Sequence, residues 1–318
     1  MLKYILALLV VAAPIAPPQE AIIADLKPYQ KVDGITGSLS SEGSDTMNNM
    51  MAGWMEGFRK IYPNVNPQST GKGSSAAFPA LIAGTVQLGP MSRDPKSTEQ
   101  DKFEGAFGYK ATVLRTSLDA LAIYVNKDNP LEQITLEQLD AIFSKSRKRG
   151  YREEVKTWGQ LGLKGDWANR PISAYGRNST SGTYGFIKDQ ALKGGDYKDT
   201  VKEMPGSASV VQAVTEDRYG IGYSGIGYDT SGVKKLKLAE KAGAPFITAE
   251  ADNVYNDTYP LRRFLFVAIN KAPGKSLSPL VNQFCLFMLS KEGQQVVEKD
   301  GYFPIPSSVV EQELAKLK

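Results

Sequence analysis

The chain has 318 residues, 42% of them hydrophobic, with 38 basic and 34 acidic side chains, no histidine and one cysteine. That length allows two ordinary domains with their own cores, and a net charge of +4 is too small for a nucleic-acid footprint. The missing histidines exclude a Ser-His-Asp triad, a Cys-His pair and every zinc site that needs an imidazole, and a lone cysteine excludes an intrachain disulfide.

At the start, one lysine precedes an apolar run from Tyr4 to Ala13, followed by small residues and prolines. This is the pattern of a secretory signal peptide, so residues 1–24 are set apart from the fold, with cleavage between Ala13 and Ala24. No cysteine follows the run, so a lipid anchor is not expected, and no later stretch is a better candidate for a membrane span.

Downstream, Ile35 to Leu39 predicts a short strand leading into a turn with Ser44, Asp45 and Thr46. Met47, Met50, Met51, Trp54, Met55 and Phe58 then fall on one helical face that ends at Tyr62-Pro63. Val65 to Ser69 predicts a second strand. It runs into GKGSS at 71–75, and a short helix follows over 76–83. The Walker spacing fails there, because the required glycine is Asn66, and it fails again at Pro273 to Ser276, where Ile269 stands in that place.

Val86 to Leu88 predicts a short strand with GPMSRD after it. Ligands gather at the carboxyl ends of strands in open α/β sheets, which makes Ser92 and Arg93 candidates. The near-continuous apolar run from Ala111 to Asn126 has buried-strand character and marks a first crossing between lobes. Leu136 to Phe143 predicts a helix, and the basic run Lys145 to Arg149 a solvated loop.

Pro171 to Ala174 predicts a strand that feeds the run YGRNSTSGTYGFI at 175–187. Ser181 or Thr183 can cap the helix that follows, and Gly182 lets backbone approach a ligand. A helix start offers unpaired N–H groups and partial positive charge, to which Arg177 adds a planar fork, so the stretch has anion-site chemistry. A serine-rich loop capping a surface helix accounts for it equally well, and both readings stay open here. Ser207 to Glu216 predicts a short helix. The glycine-rich run Tyr219 to Tyr228 is neither GxGxxG nor GxSxG, and reads as backbone packed close to another element. Arg263 to Asn270 predicts a second crossing strand, and Leu280 to Lys299 one long helix. Cys285 falls in an apolar stretch, where a buried free thiol is expected.

Strands alternate with helices throughout, which predicts α/β lobes. Four stretches carry a resemblance: GSDTM at 43–47, GKGSSAAFPAL at 71–81, LGPMSRDP at 88–95 and YGRNSTSGTYGFIK at 175–188. They resemble the phosphate-specific periplasmic binding proteins of ABC importers, and the similarity runs through most of the mature chain. The resemblance implies a two-lobed type II periplasmic binding fold, with lobe 1 at 35–115 and 264–318, lobe 2 at 116–263, and a cleft between them.

It further implies one phosphate held without metal or organic cofactor, by Thr46 and Ser74 from one lobe and Arg177, Ser181, Gly182 and Thr183 from the other. Ser92 and Arg93 join this set, with Ser44 and Ser75 as neighbours. The implied partners are inorganic phosphate and the permease subunits of the importer, with no nucleic acid, and the chain is expected to be a periplasmic monomer that is not an enzyme. Some family members carry an aspartate where this chain has Ser92. A hydroxyl can accept a proton from the ligand but does not repel extra negative charge. Receptors for sulfate, molybdate or tungstate, an exported phosphatase using Ser181 or Ser44, and a surface adhesion role stand as alternatives.

Overall fold

The computed structural model describes residues 19–318, so the run Tyr4 to Ala13 lies outside the described residues. In chain order the first elements are α1 (Gln19–Ala24), β1 (Gly37–Glu42), α2 (Asn48–Ile61), β2 (Val65–Thr70), α3 (Ala77–Ile82), β3 (Gly89–Met91), α4 (Ser97–Phe107) and β4 (Thr112–Ala120). A second group comprises β5 (Ala122–Asn126), β6 (Gln133–Thr135), α5 (Leu136–Phe143), β7 (Ser173–Arg177), α6 (Gly182–Gln190), β8 (Lys202–Met204), α7 (Ser207–Glu216), β9 (Gly220–Ser224), β10 (Val233–Lys235), β11 (Lys237–Ala239) and α8 (Ala251–Tyr255). The chain returns through β12 (Arg262–Ile269) and ends in α9 (Pro279–Met288), α10 (Lys291–Lys299) and α11 (Ser307–Ala315).

The first lobe is built on the sheet β3-β12-β4 and the parallel pair β1-β2, the second on the five-stranded sheet β10-β5-β9-β7-β8 and the pair β11-β6. The apolar run from Ala111 is therefore two strands. Leu121 alone separates β4 from β5, and the two belong to different sheets. Every residue of β5 is buried, as its unbroken hydrophobicity requires.

Helix α2 buries Met50, Met51, Trp54, Met55 and Phe58. Five large side chains at roughly 2 kcal/mol each make this stripe a main anchor of the first lobe. Trp54 also donates its Nε1–H to the Gly293 carbonyl at 2.7 Å, which ties α2 to α10. Cys285 is buried, and burial pushes its thiol up to about 12.

Three expectations need correction. The helix expected over Leu280 to Lys299 is broken at Leu289 and Ser290, because Ser290 Oγ caps a new helix through the Gly293 N–H at 3.2 Å. Gly293 packs so closely beneath the Phe287 carbonyl that a Cβ there would lie 2.0 Å from it. The strand expected at Val86 to Leu88 lies instead at Gly89–Met91, where Pro90 occupies the edge of its sheet and leaves its carbonyl to accept from Ser44 N at 2.7 Å. The basic run at 145–149 is a loop, but Arg149 is not solvated. Its Nε donates to the Ala191 carbonyl at 2.6 Å and its Nη1 pairs with Glu240 at 2.7 Å, so it closes the carboxyl end of α6.

Candidate functional site

Three helix starts and two strand ends meet where the lobes face each other. Thr46 sits in the 3₁₀ turn Asp45–Met47 that opens α2, and Ser74 in the turn Ser74–Ala76 that opens α3. Ser92 follows β3 directly, Arg177 ends β7, and Ser181 caps α6 by accepting from Thr183 N at 3.1 Å and Tyr184 N at 3.4 Å. All five side chains are buried. For Thr46, Ser74 and Ser181 the local reason is the same, a hydroxyl residue in the turn that leads from a strand into a helix.

The hydroxyls converge across the seam. Thr46 Oγ1 lies 2.8 Å from Thr183 Oγ1, Ser92 Oγ 3.5 Å from Thr183 Oγ1, and Ser74 Oγ 3.3 Å from Ser92 Oγ. Gly182 completes the contact: a Cβ there would stand 2.3 Å from Ser74 Oγ and 2.9 Å from Ser74 Cβ. Ser75 N donates to the Thr180 carbonyl at 3.1 Å, which adds a backbone clasp between the lobes.

Arg177 is one of two buried arginines at this seam, with Arg263. Its Nη1 donates to Ser207 Oγ at 2.6 Å and its Nη2 to the Pro205 carbonyl at 3.2 Å, while Nη2 also lies 3.1 Å from Asp45 Oδ1. Nε is buried with no partner among the described residues. Burial lowers the Arg177 pKa and the neighbouring Asp45 carboxylate opposes that shift, so the guanidinium stays charged in a poorly hydrated place. Its own backbone N–H donates to Tyr223 Oη at 3.1 Å, and burial pushes that phenol up to about 12.

Sequence reasoning missed four residues. Asp45 Oδ1 accepts from Ser207 N at 2.7 Å, so a carboxylate from the first lobe caps α7 of the second. Ser207 was legible in principle, since it follows Pro-Gly at a helix start as the other hydroxyls follow turns. Arg263 and Asp119 are direct cross-strand partners on β12 and β4 and form a buried ion pair, Nη2 to Oδ2 at 2.7 Å. Arg263 also donates to the Ser92 carbonyl at 2.7 Å and to Thr183 Oγ1 at 3.1 Å, and Asp119 Oδ1 accepts from Ile226 N at 3.0 Å. Their signal was Asp119 within the run 111–126, which also carries Arg115, and Arg263 at the head of the apolar run that ends at Asn270.

Two of the nominated residues stand elsewhere in the network. Arg93 is committed to Glu99, donating Nη1 to Oε2 at 2.8 Å and Nη2 to Oε1 at 2.7 Å, with Ser75 Oγ accepting at 3.3 Å. Burial opposes ionisation of Glu99, but the bonds from Arg93 and Lys96 N outweigh it and hold the carboxyl below its usual range. Ser44 is buried beside the Asp45 turn, and its Oγ has no partner among the described residues. The turn itself is pinned by Tyr228 Oη to the Asp45 carbonyl at 3.0 Å and Tyr302 Oη to the Thr46 carbonyl at 2.9 Å. Among the described residues no group of three or more Asp, Glu or Cys side chains could hold a metal ion.

A seam of hydroxyls and helix starts around a guanidinium can hold a compact oxyanion. A family model described as PBP superfamily domain matches residues 30–292. The phosphate-binding protein PstS of Pseudomonas aeruginosa is 54% identical over 297 residues, covering 93% of this chain and 92% of that protein. The PstS of Staphylococcus haemolyticus is 28% identical over 288 residues, 89% of this chain and 86% of the relative. Solved structures share the fold. A substrate-binding protein of Clostridium perfringens with bound phosphate matches at a TM-score of 0.72 with 24% identity, covering 85% of this chain and all of that one. An ABC-type phosphate transport receptor from Vibrio cholerae matches at 0.64 with 22% identity, covering 84% of this chain and all of its own. The chain therefore belongs to the PstS family of phosphate-binding proteins within the PBP superfamily.

Proposed function

We propose that the protein is an exported receptor that captures inorganic phosphate between its lobes and delivers it to the permease of an ABC importer. It is a binding protein and not an enzyme, in keeping with the names of its relatives. The observation that carries the reading is Arg177: a buried guanidinium whose Nε has no partner among the described residues, linked to the hydroxyl cluster through Ser207 Oγ, which accepts from its Nη1 at 2.6 Å and lies 3.4 Å from Thr46 Oγ1.

A phosphate dianion loses much hydration on entering such a site. Directed donors from Ser74, Ser181, Gly182 and Thr183 and the starts of α2, α3 and α6 offset that cost, together with Arg177. Each lobe offers only part of the donor set, so the closed state alone binds the ligand fully, and binding drives closure. The boundaries at 115/116 and 263/264 expected from sequence fall inside β4 and β12, so the hinge is read instead at Leu121, between β4 and β5, and just before Arg262, where β12 begins.

With Arg93 held by Glu99, Ser44 buried behind the Asp45 turn and Ser75 half-buried beside Arg93, these three support the turns and are not direct ligands in this reading. The receptor acts as a periplasmic monomer, and no helix among the described residues is long and apolar enough to cross a membrane.

Ser92 favours one second reading, a broader oxyanion receptor, because a hydroxyl does not repel sulfate. The test is calorimetric titration of ligand-stripped protein with phosphate, repeated in excess sulfate. Tight one-to-one binding that sulfate leaves unchanged supports a phosphate receptor. Competition by sulfate makes the site a general oxyanion site, and no heat with either anion refutes both readings.

A further inference from the structure

A second donor-lined site lies at the far end of the first lobe. Lys271 follows β12, whose other end carries Arg263, so the two residues are roughly 26 Å apart along the strand direction. Lys271 is only 8% exposed, yet among the described residues it makes no hydrogen bond and no ion pair. Its side chain lines an open groove of about 420 Å³ that contains no carboxylate. The aliphatic stem is buried and the ammonium opens into the groove, where no carboxylate stands to pair with it, so its charge is offered to an anion that enters.

The rest of the groove is oriented in the same sense. Asn270 Oδ1 is taken by the Tyr109 hydroxyl at 2.7 Å, and Gln87 Oε1 by Ser40 N at 2.8 Å. Both carboxamides therefore present their NH₂ ends as the free groups. Lys275 adds a second ammonium, and the ten-residue helix α9 begins at the rim behind its cap Ser278, so the positive end of its dipole meets the groove. Leu81, Val86 and Leu277 supply apolar wall. Donors without acceptors select an anion. The volume and the apolar wall suit one carried on a short carbon body rather than a bare inorganic ion.

We propose that this groove is a binding site for a small organic anion, whose carboxylate or phosphate head pairs with Lys271 under the start of α9 and whose carbon body rests on Leu81, Val86 and Leu277. The site is independent of the interlobe seam.

The experiment uses the full mature protein, with excess inorganic phosphate present so that the interlobe site is not free to respond. Succinate and glycerol 3-phosphate are titrated at matched ionic strength while backbone amide resonances are followed by NMR. Saturable shifts at Gln87, Asn270 and Leu280 are expected, at least tenfold weaker binding in Lys271→Met and a smaller loss in Lys275→Met, with phosphate affinity unchanged in both. A preference for succinate identifies a carboxylate ligand and one for glycerol 3-phosphate a phosphate ester. Absence of saturable shifts with both probes in the wild type overturns the proposal, as does equal binding by a folded Lys271→Met. If that variant does not fold, the wild-type shifts and Lys275→Met decide the matter.

Discussion

Substituting Gly182 by alanine separates closure from folding. The new Cβ would stand 2.9 Å from Ser74 Cβ, and that atom is fixed to the backbone and cannot rotate away. Relief requires opening the seam to about 3.5 Å, the shortest comfortable carbon contact. The Thr46 to Thr183 hydroxyl bond, 2.8 Å when closed, and the Ser75 N to Thr180 O bond, 3.1 Å, would both stretch to the edge of bonding. Two neutral bonds at about 1 kcal/mol each, plus part of the charge-assisted bond from Ser207 N to Asp45, sum to about 3 kcal/mol. That corresponds to roughly a hundredfold rise in the phosphate dissociation constant. Calorimetry measures the affinity, and small-angle scattering with saturating phosphate measures whether the lobes still close. A folded Gly182→Ala with affinity within about threefold of wild type would refute the reasoning, since the Cβ would then fit the closed seam.

Of three further predictions, two rest on the same network. Arg177→Ala removes the seam's buried fork and should cost on the order of 3 kcal/mol of phosphate binding by titration, the scale for truncating one partner of a buried charge pair. An unchanged affinity would remove Arg177 from the site. Asp119→Ala leaves Arg263 without its counter-charge in a pair whose side chains are 2% and 0% exposed, and should lower unfolding stability by about 3–5 kcal/mol in urea titration. A loss under about 1 kcal/mol would mean that Arg263 finds water or another partner.

The fourth concerns pH. Burial pushes the Asp300 carboxyl up to about 7, and its Oδ2 has no partner among the described residues. A folded pKa above the unfolded one means that the contribution to stability is full below about pH 4 and is lost as pH rises through about 7. Asp300→Asn stays neutral throughout. Its stability relative to wild type should therefore rise by about 1–2 kcal/mol between those limits, after discounting for partial exposure. A difference that does not change with pH would show that Asp300 ionises freely.

What could be read from the sequence was local. The Met and Trp stripe of α2 follows from 3.6-residue periodicity, the cap of α6 from Ser181, and the hydroxyl-rich turns at Thr46 and Ser74 from residues that satisfy the first N–H groups of a helix. These depend on side chains within one turn of each other. The boundaries of α5 were equally legible, because Thr135 and Gln138 cap one another across three residues. The break in the last long helix was not. Its amphipathic pattern runs on through Ser290, and only the crossing of α10 over Phe287 requires a new start there.

The site divides the same way. Local chemistry nominated the hydroxyls and Arg177, but which of them meet depends on register and closure. Asp119 and Arg263 are 144 positions apart and become partners only because β12 pairs with β4 in one register. Ser207 and Asp45, 162 apart, bond only when α7 faces the first lobe. Arg93 had the composition of a ligand, yet the turn carries Glu99 back to it and uses its fork at home. Sequence by itself determined the helix starts and their donors, because caps and periodicity are short-range. Tertiary structure alone decided which charges are paired and which buried polar atoms, Arg177 Nε among them, are left without a partner among the described residues, because ion pairing between distant strands is a property of the assembled fold.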